Sequence, residues 1–121
     1  MANLLVVEDE ANQRLLYQEE LSKEGYRVRV AKNAKESLKK IDEESPDLVI
    51  LDIRMPEMDG LETLGRILGK DNTIPVIIYT AYSGYKDHFM SWSADAYLIK
   101  SADLTELKNK VREILKKRGV L

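Results

Sequence analysis

Five times along the chain a short apolar run gives way to a helical pattern, and this alternation restricts the fold more than any other feature. The runs at 4–7, 47–51 and 76–80 are continuous stretches rich in Leu, Val and Ile, the pattern of parallel strands covered on both faces. The run at 26–30 alternates instead, with Tyr26, Val28 and Val30 on one side and Arg27 and Arg29 on the other. That pattern suits an edge strand, as does the short run at 96–99. Repeated β-α units imply a parallel sheet with right-handed crossovers and helices on both faces. With the second and fifth strands at the edges, the expected order is 2-1-3-4-5, a single doubly wound sheet of the flavodoxin-like kind.

Helical spacing fills the gaps. Ala34, Leu38 and Ile41 form one stripe, Leu61, Leu64 and Leu68 another, and Leu104, Leu107, Val111, Ile114 and Leu115 the clearest. Asn33 before Glu36, Asp59 before Glu62 and Asp103 before Glu106 read as N-caps with a Glu reaching back. The first helix, about 10–23, has a blurred apolar face, and the fourth, about 84–92, is weakly patterned.

The chain of 121 residues is long enough for one hydrophobic core, and residues 1–121 are expected to form a single domain. Without cysteine there is no thiol catalysis, thiolate zinc site or disulfide. With 19 basic and 21 acidic residues, the charge lacks the basic excess of a nucleic-acid binder, and no direct nucleic-acid contact is expected. No apolar run is long enough to span a membrane, and the start of the chain lacks a signal-peptide pattern. The expectation is a cytoplasmic protein that does not enter the membrane.

In an open parallel sheet, ligands bind outside the carboxyl ends of the strands, near the point where the strand order reverses. That rule selects the ends of strands one and three. Strand one runs into Glu8, Asp9 and Glu10, and strand three into Asp52. Glu10 is best read as charging the N-terminus of the first helix. Glu8 and Asp9 by themselves fit that role or a metal site equally, and Asp52 tips them toward the metal. Carboxylates crowded together repel unless a cation sits among them, and hard oxygen donors suit Mg²⁺. Asp52 follows an apolar run and precedes Ile-Arg-Met-Pro rather than a helix, so it is more than a loop-opening Asp. A carboxylate there could attack phosphorus and form an aspartyl phosphate. Thr80 and Lys100, ending strands four and five, bring a hydroxyl and an ammonium to the same edge, where a phosphoryl group would need donors.

The segments Val-Val-Glu-Asp-Glu (6–10), Asp-Leu-Val-Ile-Leu-Asp-Ile-Arg-Met-Pro-Glu-Met-Asp-Gly (47–60), Pro-Val-Ile-Ile-Tyr-Thr-Ala (75–81) and Ala-Asp-Ala-Tyr-Leu-Ile-Lys (94–100) resemble the receiver domains of two-component response regulators, in order and spacing. The resemblance covers essentially the whole chain. It implies that Asp52 accepts a phosphoryl group from a sensor histidine kinase or a histidine phosphotransfer protein. It further implies Mg²⁺ held by Glu8, Asp9, Asp52 and the backbone carbonyl of Arg54, with Thr80 and Lys100 contacting the phosphoryl group. Thr80 and Tyr97 would be the switch residues, while Arg54 and Tyr82 would tune the lifetime of the phosphate. The chain would be no enzyme beyond its own phosphorylation and dephosphorylation. The surface of the fourth helix, fifth strand and fifth helix would change on phosphorylation and could receive a second copy. One departure stands out: such domains usually have Lys-Pro with a cis bond, whereas Ser101 follows Lys100 here. A trans bond is expected, because cis costs about 2.5–4 kcal/mol before any other residue.

Other readings compete. A Mg²⁺-dependent phosphohydrolase with an aspartyl nucleophile would want a second Asp two residues after the first, where Arg54 stands. A flavin module would need a phosphate-cradling loop after strand one, where three acidic residues lie. A docking-only pseudo-receiver would have little use for the intact acidic set. A receiver portion of a larger transcriptional regulator remains the alternative within the class. His88 and Gly69-Lys70 carry no signal of a phosphotransfer or nucleotide site, and the basic run 110–118 complements the dipole of the last helix. Met55, Met58 and Met90 read as gap fillers or contacts, and Tyr85 and Trp92 as packing or interface residues.

Overall fold

In a computed structural model, which describes residues 1–53, 57–91 and 93–121, five parallel strands form one sheet in the order β2-β1-β3-β4-β5. The strands are β1 (Asn3–Val7), β2 (Arg27–Ala31), β3 (Leu48–Ile53), β4 (Val76–Thr80) and β5 (Ala96–Ile99). Between and after them come α1 (Ala11–Ser22), α2 (Ala34–Glu43), α3 (Glu57–Lys70), α4 (Lys86–Ser91) and α5 (Thr105–Lys117). The expected order and connectivity are both present.

Alternate residues of each strand serve opposite layers, as the pleat requires. Leu4, Val6, Leu48, Ile50, Ile77, Tyr79, Ala96 and Leu98 pack with Tyr17 and Leu21 of α1 and with Leu107, Val111 and Leu115 of α5. Leu5, Val7, Val49, Leu51, Val76, Ile78 and Tyr97 pack with Ile41 of α2, Leu64 and Ile67 of α3 and Phe89 of α4. Every residue of β1 and β4 is buried, which is why their runs are apolar without interruption. The edge strand β2 obeys its alternation. Val28 faces the α1/α5 layer, and Arg29 donates to Asn3 Oδ1 at 3.2 Å and to the Lys40 carbonyl at 2.8 Å.

Several boundaries differ from the sequence reading, by a single residue at β1 (Asn3–Val7) and β2 (Arg27–Ala31) and by more elsewhere. β3 continues through Asp52 to Ile53, because both residues pair with β4, Asp52 opposite Tyr79 and Ile53 opposite Thr80. Asp52 is therefore a strand residue and not the residue after a strand. Asp59 is not an N-cap, since α3 already includes Glu57 and Asp59 lies within it. The fourth helix begins at Lys86 rather than at 84, and the expected end at Trp92 lies outside the described residues.

The starts of α1 and α2 follow side-chain chemistry. Glu10 accepts from the N–H groups of Asn12 and Gln13, at 3.0 and 2.9 Å, and caps α1. Asp103 is not the N-cap of α5, which is Leu104 without a side-chain cap bond, and it accepts instead from Thr105 N at 2.9 Å just ahead of the helix. Asn33 Oδ1 accepts from Glu36 N at 2.8 Å, while Glu36 reaches back to the N–H of Lys32 rather than that of Asn33. Asn33→Ala should therefore lower stability by about 1 kcal/mol, read as a reduced urea midpoint at unchanged slope. In α1 only Tyr17 and Leu21 are buried, and Leu15 and Leu16 lie exposed, which accounts for its blurred pattern. No helix among the described residues is long and apolar enough to cross a membrane.

Candidate functional site

The central strands deliver their terminal side chains to one place. Val7 of β1 lies opposite Leu51 of β3, so Glu8 and Asp52 come next in register. Thr80 lies opposite Ile99, and the N–H of Lys100 donates to the Thr80 carbonyl at 2.7 Å, extending the ladder by one residue. Pleat parity then sorts the side chains. Glu8, Asp52 and Lys100 continue the rows that face α1 and α5, whereas Thr80 and Tyr97 continue the rows that face α3 and α4.

Lys100 is the hub of the first group. Its Nζ lies 2.7 Å from Asp52 Oδ2 and 3.5 Å from Glu8 Oε2, and it donates to Gln13 Oε1 at 2.6 Å. Both carboxylates are buried, with Glu8 fully enclosed, while the lysine side chain keeps 16% of its surface exposed. The cation that crowded carboxylates need is thus supplied by the chain itself. Glu8 Oε1 accepts from Glu10 N at 2.9 Å, whereas its buried Oε2 accepts no hydrogen bond among the described residues. Asp9 stands exposed at the rim, and Arg14 donates to the backbone carbonyls of Glu8 and Asp9 at 2.9 and 3.4 Å.

Among the described residues no three acidic, histidine or cysteine side chains already form a metal cage. The donor set nevertheless fits a hard divalent ion. Three carboxylates (Glu8, Asp9, Asp52) against one ammonium (Lys100) leave two formal negative charges, and Glu8 Oε2 has unused acceptor capacity. Arg54, expected to add a carbonyl ligand and to tune lifetime, lies outside the described residues, as do Met55 and Trp92 and the side chains of Met58 and Met90.

On the other face, Thr80 is buried and its Oγ1 accepts from Tyr82 N at 3.2 Å. The Tyr97 ring is also buried, packs against Phe89 with centroids 5.8 Å apart, and donates its hydroxyl to the Tyr82 carbonyl. Its ring is therefore seated inward, against α4. Burial raises its phenol pKa. Tyr82 is exposed at the mouth, and His88 is exposed on α4.

The loop after β5 runs through a trans Lys100–Ser101 bond, as expected for this dipeptide. The Ser101 N–H, which a proline would lack, makes a long contact of 3.4 Å to the Tyr79 hydroxyl. Beneath that hydroxyl, Tyr17 meets Tyr79 edge-on at 5.6 Å. Burial, then Tyr79 and Glu10, push the Tyr17 phenol up from 10.0 to about 12. A folded-state pKa above the unfolded one gives stability that is complete below about pH 10 and is lost as pH rises toward 12. Ultraviolet titration should show the buried tyrosines Tyr17, Tyr79 and Tyr97 ionising after the exposed ones, and Tyr17→Phe should shrink that late step by one phenol. The sequence reading overlooked Gln13, because a neutral amide in a first helical turn carries no charge signal.

The family model for the response regulator receiver domain matches residues 4–112. The chain belongs to that family. Among curated relatives, this receiver is 41% identical over 115 residues to the transcriptional regulatory protein ZraR of Klebsiella oxytoca, covering 93% of the chain and 26% of ZraR. It is 37% identical over 120 residues to the response regulator ArlR of Staphylococcus epidermidis, covering 98% of the chain and 54% of ArlR. The receiver thus spans about a quarter of one regulator and half of the other. Among solved structures it resembles the response regulator TrrA of Thermotoga maritima, determined in complex with Mg²⁺-BeF. That match has a TM-score of 0.86 and 48% identity, and covers 95% of this chain and all of that one. TrrA has also been solved in complex with the histidine kinase ThkA, and that match has a TM-score of 0.84.

Proposed function

We propose that Asp52 is the phosphoacceptor of this receiver, and that Glu8, Asp9 and Asp52 hold Mg²⁺ during the transfer. The observation that carries the reading is the ammonium of Lys100 set 2.7 Å from Asp52 beside the buried Glu8 at the carboxyl edge. An Asp52 oxygen attacks the donor phosphorus, the bond from phosphorus to the donor breaks, and the leaving group departs with its electron pair. Bound Mg²⁺ would neutralise charge on the phosphoryl oxygens. Lys100 takes part of that charge, and the Thr80 hydroxyl turns toward the group as a donor. The donor class is a phosphohistidine, on a sensor kinase such as the one TrrA binds or on a phosphotransfer protein. Water attack on the same phosphorus would reset the switch, with Tyr82 at the mouth governing its access and Arg54, two residues after Asp52 in sequence, as the second tuning position. Residues 1–121 act as one receiver unit in the cytosol, either alone or as part of a longer regulator.

Incubation with acetyl phosphate and Mg²⁺ tests the reading. Intact mass should show one added phosphoryl group, and chelation should abolish it. No gain, or a gain that ignores chelation, overturns the assignment. The phosphohydrolase reading lacks support, since Arg54 occupies the position of its acid/base carboxylate.

The output surface is formed by α4, β5 and α5, where Tyr82 and Ile99 are both more than two-fifths exposed and a second copy could dock. Thr80 and Tyr97 face the same layer, and Tyr97 already bonds the Tyr82 carbonyl. α4 is the shortest of the described helices at six residues, and a bias of a few kcal/mol would redistribute its conformers. Thr80→Ala should leave Asp52 able to bind beryllofluoride while shrinking the amide shifts that beryllofluoride produces in α4 and β5. Equal shifts in both proteins would rule out the coupling.

A further inference from the structure

We infer that Gln13, braced by Tyr17, is a positioning residue that aims the Lys100 ammonium at Asp52. The inference rests on the phosphoacceptor reading and adds to it a residue of α1.

An ammonium has three N–H groups and no acceptor, so Lys100 needs three oxygens to satisfy it. Asp52 Oδ2 and Gln13 Oε1 lie closest, at 2.7 and 2.6 Å, and Glu8 Oε2 adds only a longer ion-pair contact at 3.5 Å. The carboxylates alone would leave the cation free to shift between two negative charges. Gln13 approaches from a different element and defines a third direction. Its amide orientation follows from chemistry, because only the oxygen can face an ammonium.

The amide is itself held. The Tyr17 hydroxyl, one turn further along α1, donates to the same Oε1 at 3.0 Å. Tyr17 is buried and wedged edge-on against Tyr79 of β4, so its hydroxyl has little freedom. The Gln13 backbone is tied down in turn, its N–H donating to the capping carboxylate of Glu10 at 2.9 Å. A buried ring, an amide and an ammonium therefore form one chain from the sheet core to the phosphoacceptor. Rigid support of this kind keeps a reacting constellation within a fraction of an ångström, where misplacement is costly.

Gln13→Met preserves the length of the side chain and removes the acceptor oxygen, while Gln13→Glu retains it. Phosphorylation by acetyl phosphate should slow about tenfold in Gln13→Met, the scale of one lost hydrogen bond to a charged group, and by less than about threefold in Gln13→Glu. Tyr17→Phe, which leaves the amide in place but unbraced, should fall between. Lys100 side-chain NMR resonances give a readout in the unphosphorylated protein. They should move in Gln13→Met and Tyr17→Phe while those of the exposed Lys23 and Lys70 do not. A parental labelling rate in Gln13→Met, or unmoved Lys100 resonances, overturns the inference. If the parent fails to label, the phosphoacceptor reading fails, and the Lys100 resonances still decide whether Gln13 positions the cation.

Discussion

Asp52→Asn should take up no phosphoryl group from acetyl phosphate under conditions that label the parent completely. Asparagine has nearly the same shape, but its amide oxygen is not an anionic nucleophile and cannot form the acyl phosphate. The substitution also removes one of two buried carboxylates that share a single ammonium, so the urea midpoint should hold or rise. Magnesium affinity should fall by about tenfold or more, because a hard ion loses an anionic oxygen. Intact mass and a calorimetric Mg²⁺ titration measure the two effects. Undiminished labelling of Asp52→Asn, mapped to Glu8 or Asp9 by peptide mass, would move the phosphoacceptor elsewhere.

Removal of Lys100 should have the opposite energetic sign. In Lys100→Met the buried carboxylates of Glu8 and Asp52 face each other without their counter-charge. Deleting one partner of a buried ion pair costs about 3–5 kcal/mol, far more than the pair itself contributes. The loss should appear as a lowered urea midpoint. Two additions should recover part of it. Asp52→Asn in the same chain should restore stability with a coupling of about 0.5–3 kcal/mol, since it removes the repulsion the first change exposed. Saturating Mg²⁺ should restore about 2.7 kcal/mol at a hundred times its dissociation constant, because it binds the folded site alone. A single substitution as stable as the parent would mean that solvent already neutralises the site.

The apolar runs made the strands readable from sequence: β4 and the short edge strand β5 begin and end where their runs do. The error at Asp52 has a physical source. An acid after an apolar run looks like a strand end, but pairing with Tyr79 holds it in the ladder, and Lys100 balances the charge that propensity counts against it. At Asp59 two roles for an acid, cap and charge within the helix, look alike in sequence. The acidic pair and Lys100 were legible because charge at the edge of a buried strand demands a reason. Gln13 lies 87 residues from Lys100 along the chain, and neither its polarity nor its spacing announces the contact. The inward seat of Tyr97 depended on Phe89, from the least patterned helix.

The odd spacing between Tyr97 and Lys100 has an evolutionary corollary. Because adjacent strand positions address different layers, Lys100 and Tyr97 occupy separate neighbourhoods, and the Thr80 hydroxyl is the side chain proposed to connect them. Substitutions at Phe89 or Tyr85 could retune what a partner sees without disturbing an atom around the lysine. A length change within β5 has no such freedom. Inserting one residue would exchange the two addresses and damage both functions at once, so descendants of this chain can diversify by replacement there but not by insertion.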